Sequence, residues 1–194
     1  MTIKTQRSKP PKCILILGGG RSGKSSLAVE MALERGGKVL FVATAEPRDE
    51  EMKRRISAHK KSRPESWQTL ETPLNLGSEI SKNVGTAKTV IIDCVTLLVN
   101  NIFEKYGEKG TAGTLEKAIE SEITALLECV EKSHATFIIV SNEVGLGIIP
   151  VDSVSRLYRD LLGRANQALA ARADQVYMLV AGLKMTLKNT LQYH

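Results

Sequence analysis

The chain has 194 residues, of which 42% are hydrophobic and 25% charged, and its formal net charge is +6. This length and composition predict one globular domain with its own core, which excludes a disordered or fibrous protein. The apolar runs are shorter than the ~20 residues that a membrane-spanning helix needs. Only 4% of the residues are aromatic. We therefore expect no base-stacking nucleic-acid surface, and a nucleotide is the expected anionic partner.

The N-terminal segment 1–12 is basic and lacks the apolar core of a signal peptide. We therefore expect a flexible arm, ahead of a single catalytic domain, in a cytoplasmic protein. The three cysteines, Cys13, Cys94 and Cys129, do not have the close spacing of a metal site. Buried, reduced thiols are expected at these positions.

Short apolar runs alternate with amphipathic segments along the chain. We predict strands over residues 13–17, 39–43, 89–94, 136–141 and 175–180. We predict helices over 26–35, 49–60, 115–130 and 154–169, and an irregular segment over 63–73. This alternation indicates an α/β fold, with a mostly parallel sheet covered by helices on both faces.

The segment after the first predicted strand reads Gly18-Gly19-Gly20-Arg21-Ser22-Gly23-Lys24-Ser25. It matches G-x-x-x-x-G-K-[ST] between a strand and a helix, which is typical of a RecA-like P-loop NTPase. Its backbone N–H groups would cradle phosphates, Lys24 would reach the β- and γ-phosphates, and Ser25 would ligate Mg²⁺. The alternative is a glycine-rich turn without a ligand.

Two further positions lie where parallel strands end, which is the edge at which such sheets bind ligands. Asp93 ends the third predicted strand and would complete the Mg²⁺ shell, unless it only caps the following segment. Ala43, Thr44 and Ala45 end the second strand, where backbone groups would approach the nucleotide.

More motifs follow the P-loop in order. The second strand leads into Asp49-Glu50-Glu51-Met52, Arg55-Ile56, His59-Lys60, Arg63-Pro64, Trp67 and Thr69-Leu70-Glu71. Later come Asp93-Cys94-Val95-Thr96, Asn100-Asn101, Asn142-Glu143-Val144-Gly145-Leu146-Gly147, Arg156, Arg159-Asp160 and Asn166-Gln167. With the GG-x-RSGKS loop, this pattern over residues 13–188 resembles the bifunctional adenosylcobinamide kinase/adenosylcobinamide-phosphate guanylyltransferases of cobalamin synthesis.

The resemblance implies a two-step activity. ATP or GTP first phosphorylates the aminopropanol hydroxyl of adenosylcobinamide. GMP is then transferred from GTP to that phosphate, which gives adenosylcobinamide-GDP and pyrophosphate. By motif position, His59 carries the GMP covalently, and a neutral imidazole is nucleophilic near pH 7. The resemblance also implies a homo-oligomer, with a trimer as the family trait.

Other residues acquire candidate roles from their positions. Four would hold phosphate or ribose, unless they form a solvated basic run: Lys60, Lys61, Ser62 and Arg63. Glu71 would accept hydrogen bonds from guanine N1–H and the 2-amino group, or it is a plain surface acid. The loop with Asn142, Glu143, Gly145 and Gly147 would contact substrate or a second subunit. Two interpretations are equally consistent with Arg156, Arg159 and Asp160. These residues contact substrate or a second subunit, or they form a structural ion-pair set.

Two other functions share part of this pattern. A P-loop small-molecule kinase would keep Lys24 and Asp93 but would not need His59. A RecA-like, nucleic-acid-stimulated ATPase would suit the basic charge, and it predicts salt-sensitive binding to DNA or RNA.

Overall fold

The computed structural model describes residues 11–61, 63–107 and 110–190. In chain order, its elements are β1 (Cys13–Gly18), α1 (Lys24–Arg35), β2 (Val39–Ala43), α2 (Glu50–Lys61), β3 (Gln68–Glu71), α3 (Leu76–Asn83), β4 (Thr89–Asp93), α4 (Val95–Tyr106), α5 (Ala112–Lys132), β5 (Thr136–Val140), α6 (Ser153–Arg172), β6 (Gln175–Val180) and β7 (Leu183–Asn189). Within these residues, no helix is long and apolar enough to cross a membrane.

The strands form one sheet in the order β3-β2-β4-β5-β1-β6-β7. Every neighbouring pair is parallel except β6 and β7, which are antiparallel. The hairpin between β6 and β7 turns at Ala181 and Gly182, which both have positive φ, as a tight two-residue hairpin turn requires. The mostly parallel sheet predicted from the sequence is therefore confirmed.

The apolar strands are buried because both faces of the sheet are covered. Leu15 on β1 belongs to the larger core cluster, which includes the apolar residues of α3, α4, α5 and α6. Ile14 and Ile16 point to the opposite face, where Ala28 and Ala32 of α1 pack against them. Each fully buried Leu or Ile side chain contributes about 1.5–3 kcal/mol, so the core holds the carboxyl ends of the strands in register. Helices on both faces confirm that part of the prediction as well.

The prediction of an irregular segment over 63–73 is wrong, because it contains strand β3. This strand is mostly exposed, so it lacks the continuous apolar run by which the buried strands were recognised. Helices α3 and α4 and strand β7 were also not predicted. Only Cys94 separates the end of β4 from the start of α4, and β7 is an exposed edge strand. Residues 1–10 of the predicted arm lie outside the described residues.

Candidate active site

The P-loop connects the carboxyl end of β1 to α1 and depends on its glycines. Gly18 has a φ of 152°, and a Cβ there would lie 2.5 Å from the carbonyl oxygen of Leu179. Gly23 has a φ of 97° at the N-cap of α1, and no side chain caps this helix. The N–H groups at the start of α1 are therefore available to an anion, which the helix dipole also favours.

Two neighbouring segments brace this loop. The Glu143 N–H donates to the Gly18 carbonyl at 3.0 Å, and the Gly182 N–H donates to the Ser22 carbonyl at 3.1 Å. The loops after β5 and β6 thus hold the predicted phosphate cradle between them.

Lys24 is 6% exposed and folds back over the loop. Its Nζ donates to the Gly19 carbonyl at 2.5 Å and lies 3.5 Å from Ser22 Oγ. Burial lowers the pKa of Lys24, and the charge of Asp93 acts in the opposite direction. A buried ammonium that is partnered mainly by a carbonyl is well suited to bind a phosphate oxygen.

Asp93, Ala43 and Glu71 form a row across three adjacent strand ends. Ala43 pairs with Asp93 of β4 on one side and with Glu71 of β3 on the other. Residues paired in this way on parallel strands point to the same face of the sheet. The two predicted acids therefore flank β2 on the face that α1 covers.

Asp93 is not the cap of the following helix, because Cys94 occupies the N-cap position of α4. This geometry disfavours the capping alternative. Thr44 is fully buried, and its hydroxyl accepts from the Cys94 N–H and donates to the Cys94 carbonyl, both at 2.8 Å. The peptide that follows Asp93 is thereby fixed to the end of β2.

A cavity of about 380 Å³ lies beside the P-loop. It brings together Ser25, Asp93, Phe41 and Arg63, although these residues are far apart in the chain. Its other lining residues are Ser26, Val29, Glu30, Leu33 and Glu34. A larger cavity of about 630 Å³ lies between α4 and α5, and none of its described lining residues is a predicted site residue.

Arg63 reaches into the smaller cavity from the segment after α2. Its guanidinium carbon lies 3.5 Å from the centroid of the Phe41 ring. Burial lowers the pKa of the guanidinium, and the charges of Asp93 and Glu71 act in the opposite direction. Its Nη1 is buried without a hydrogen-bond partner among the described residues. A buried, charged donor of this kind is a candidate contact for a phosphate or carbonyl oxygen.

Glu71 pairs with Lys60, the residue that follows His59. Both side chains are about half exposed, at 57% for Glu71 and 50% for Lys60. A guanine that binds Glu71 would have to share its carboxylate with Lys60 or displace it.

The remaining residues of this run are described less fully. His59 and Lys61 lie in α2, but their side chains are outside the described part of the structure, as is the whole of Ser62. The Arg63 N–H donates to the Lys60 carbonyl at 3.3 Å, so the chain turns directly after α2.

The residues present fit a P-loop Mg²⁺ site. Ser25 and Asp93 line the same cavity, next to the loop that would hold the phosphates. Among the described residues there is no cluster of three or more His, Cys, Asp or Glu that would bind a metal without substrate. This combination suits Mg²⁺, which binds P-loop proteins through few side chains together with substrate phosphates.

The more distant predicted residues are involved in local structure. Arg159 pairs with Asp160, with 2.8 Å between Nη2 and Oδ1, and Arg156 donates to the Pro150 carbonyl at 2.9 Å. The N–H of Asn142 donates to Thr96 Oγ1 at 2.7 Å. These contacts support the structural interpretation of Arg156, Arg159 and Asp160.

The three cysteines are buried and unpaired, as predicted. Burial raises the pKa of both Cys13 and Cys94 to about 12, so these thiols stay protonated and are not nucleophiles at neutral pH.

The contact of Phe41 with Arg63 was not predicted from the sequence, and neither were the hydrogen bonds that Asn101 makes to the Thr44 and Pro73 carbonyls. Phe41 lies in an apolar strand, where nothing distinguishes it from the other core residues. Asn101 belongs to a recognised motif but follows an apolar helix segment. The only available signal was an amide inside a run that is otherwise buried.

Comparison with known proteins agrees with this geometry. The family described as cobinamide kinase / cobinamide phosphate guanyltransferase matches residues 14–187. The bifunctional adenosylcobalamin biosynthesis protein CobU of Escherichia coli is 37% identical over 180 residues, which cover 90% of this chain and 99% of CobU. The protein CobP of Pseudomonas aeruginosa, which has the same description, is 41% identical over 174 residues, or 90% and 96% of the two chains.

Solved structures show the fold alone. The RadB recombinase superposes with a TM-score of 0.51 at 17% identity, covering 87% of this chain and 74% of RadB. The type III secretion ATPase EscN of enteropathogenic E. coli superposes with a TM-score of 0.56 at 12% identity, covering 91% of this chain and 48% of EscN. The RecA-like P-loop fold is therefore confirmed. Because the family match spans nearly the whole chain, this protein belongs to the cobinamide kinase / cobinamide phosphate guanyltransferase family.

Proposed function

We propose that this chain phosphorylates adenosylcobinamide and then transfers GMP from GTP to the product through His59. The observation that carries the proposal is one cavity lined by Ser25, Asp93 and Arg63, beside a P-loop with a buried Lys24. Family membership supports both activities. The histidine intermediate is implied by the resemblance of the His59 motif.

In the kinase step, the substrate hydroxyl oxygen attacks the γ-phosphorus, and its proton is released to solvent. The bond to the β-γ bridging oxygen breaks, and the nucleoside diphosphate leaves with the electron pair. The P-loop N–H groups and Lys24 would stabilise the charge on the phosphate oxygens. Ser25 and Asp93 would hold Mg²⁺, which neutralises phosphate charge when it is bound. No protein nucleophile is needed for this step.

In the guanylyl step, the imidazole of His59 attacks the α-phosphorus of GTP. A P–N bond forms, the α-β phosphoanhydride bond breaks, and pyrophosphate leaves with the electron pair. A phosphate oxygen of adenosylcobinamide phosphate then attacks the same phosphorus and releases His59. Arg63 would contact a phosphate during this exchange through its unpartnered Nη1.

The His59→Asn variant tests this proposal, because only the second step needs the imidazole. With α-labelled GTP, the wild type should acquire an acid-labile, base-stable label, and the variant should acquire none. Formation of adenosylcobinamide-GDP should stop while phosphorylation of adenosylcobinamide continues. This result would also separate the bifunctional enzyme from a simple P-loop kinase, which would never take up the label.

The matched control is His134→Asn. His134 is exposed just before the amino end of β5, whereas the P-loop follows the carboxyl end of β1. The amount of label bound by this variant should therefore equal that of the wild type. If His59→Asn still took up GMP while remaining folded, another residue would be the nucleophile. If it lost both steps, His59 would serve nucleotide binding in general. Thermal unfolding identifies a folding defect in either case, and GTP binding by calorimetry separates lost nucleotide binding from lost chemistry.

We also propose a homo-oligomer, with a trimer as the family expectation, and a cytoplasmic location that suits the reduced cysteines. Edge strand β7 supports a contact with a second copy, because Leu183, Met185 and Leu187 are 54% to 73% exposed. Exposed apolar residues on an unpaired sheet edge are usually covered. A Met185→Lys variant should lower the mass measured by sedimentation, and an unchanged mass would remove β7 from the interface.

A further inference from the structure

Asn101 is buried in α4, with an exposure of 5%, and both polar atoms of its side chain are bonded. Its Nδ2 donates to the Thr44 carbonyl at 2.8 Å and to the Pro73 carbonyl at 3.0 Å. Its Oδ1 accepts from Arg48 Nη2 at 2.8 Å. One side chain therefore joins both ends of the loop between β2 and α2 to the segment after β3.

Two of these attachments lie close to Glu71, the residue predicted to bind guanine. Thr44 directly follows Ala43, which pairs with Glu71 across β2 and β3. Pro73 comes two residues after Glu71. The Asn101 amide thus holds the chain just after the end of β2 and just after the end of β3, the strand that carries Glu71.

The third attachment leads to α2. Arg48 precedes Asp49, whose carboxylate accepts from the Met52 N–H at 2.6 Å and so caps the first turn of α2. Arg48 also pairs with Glu46 and Glu104. Its bond to Asn101 therefore fixes the point at which the chain enters the helix that carries His59.

The phosphate-binding residues are held by other contacts. Lys24 bonds within the P-loop, and the Gly182 N–H braces Ser22. Ser25 lies on α1, which packs on β1, β4 and β5. The peptide that follows Asp93 is held by the two hydrogen bonds between the Thr44 hydroxyl and Cys94, which do not involve Asn101. Loss of Asn101 should therefore disturb Glu71 and α2 more than the P-loop and Asp93.

We propose that Asn101 is a positioning residue for guanylyl transfer: through Pro73 and Thr44 it aligns Glu71, and through Arg48 it aligns the start of α2. This inference rests on the proposed function. With ATP as the phosphoryl donor, the kinase step uses neither Glu71 nor His59, so the two activities, with the kinase assayed in ATP, should respond differently to a change at Asn101.

The first variant is Asn101→Asp. It has nearly the same shape and keeps an acceptor for Arg48, but it loses the two N–H donors to the carbonyls. The ratio of the guanylyl-transfer rate to the kinase rate should fall at least tenfold, and the preference for GTP over ATP in binding should fall with it. The matched control is Thr136→Val, which removes hydrogen bonds to Arg35 and Pro11 at the amino end of β5, away from the site. That control should lower the Tm without changing the ratio.

The second variant is Arg48→Met, which keeps both Asn101 donors and changes only a partly exposed side chain. Covalent labelling by α-labelled GTP should slow several-fold, while the GTP-to-ATP preference in binding stays as in the wild type. Its control is Glu104→Gln, which removes one ion pair of Arg48 but leaves the bond to Asn101. Labelling by that control should stay within twofold of the wild type.

A guanylyl-to-kinase ratio within twofold of wild type in Asn101→Asp would overturn the assignment of Asn101. Labelling by Arg48→Met at the wild-type rate would overturn the α2 part of it. Failure of the proposed function would look different, because the wild-type protein itself would then form no labelled adduct.

Discussion

The guanidinium carbon of Arg63 lies 3.5 Å from the centroid of the buried Phe41 ring. This arrangement places a cation on the negative face of an aromatic ring, within the electrostatic influence of the Asp93 and Glu71 carboxylates. Phe41 therefore contributes to the site from within β2, because it supports Arg63, whose buried Nη1 has no hydrogen-bond partner among the described residues.

Replacing Phe41 by Leu should weaken GTP binding about three- to tenfold, because a cation–π contact contributes roughly 0.5–1 kcal/mol or somewhat more when it is desolvated. Isothermal titration calorimetry measures the change. The matched control is Phe137→Leu, another buried aromatic on β5 that belongs to the opposite core cluster. Equal losses of GTP affinity in the two variants would mean that Phe41 acts only through general stability.

The Lys24→Met variant should stabilise the nucleotide-free protein near pH 7 and abolish its stabilisation by GTP. The pKa of Lys24 is lowered in the folded state, so its charged form is disfavoured there relative to the unfolded chain. This penalty is fully present below the lowered folded pKa and vanishes above the unfolded value of ~10.4.

The difference in Tm between Lys24→Met and wild type should therefore be greatest at neutral pH and shrink as the pH approaches ~10.4. Thermal unfolding with and without GTP at several pH values measures it. A variant that is less stable than wild type at pH 7 would contradict the burial argument.

The Glu71→Gln variant should weaken GTP relative to ATP by about ten- to a hundredfold, since a carboxamide offers one acceptor where guanine needs two. Competition binding with both nucleotides gives the ratio. The control is Glu79→Gln on α3, which also removes the charge of an acid paired with a lysine, on a side chain that is 33% exposed. An equal loss for GTP and ATP would exclude Glu71 from base recognition.

The Gly77→Ala variant should destabilise the fold by about 1–3 kcal/mol, because an added Cβ would lie 2.4 Å from the Ala125 carbonyl oxygen of α5. Gly163→Ala is the comparison, because a Cβ there meets nothing within 4 Å and α6 should gain about 0.8–1.0 kcal/mol of helix propensity. Urea unfolding measures both. If the two variants changed stability in the same direction, the close approach of α3 and α5 would not explain the role of Gly77.

Much of the fold could be predicted because the buried strands leave a local signal. The runs at β1, β2, β4, β5 and β6 are apolar and short, and each is followed by a loop or a helix. Strand β3 could not be predicted in this way, since its side chains are largely exposed and it is stabilised by pairing with β2. The same holds for β7, which pairs only with β6 and otherwise forms the edge of the sheet.

The P-loop is specified locally, because the conformations that it requires are encoded within eight consecutive residues. Gly18 and Gly23 supply backbone angles that other residues rarely adopt, and Lys24 and Ser25 follow at fixed spacing. The order of the motifs along the sequence also indicates the family.

The arrangement of the other site residues follows from long-range packing. The strand order β3-β2-β4 brings Glu71 and Asp93 to either side of Ala43, and it places Arg63 on Phe41. It also brings Arg48 and Pro73 to Asn101, across 53 and 28 residues of chain. Such contacts depend on which strands become neighbours, and no local pattern specifies that, because the pairing is selected by the packing of the whole sheet.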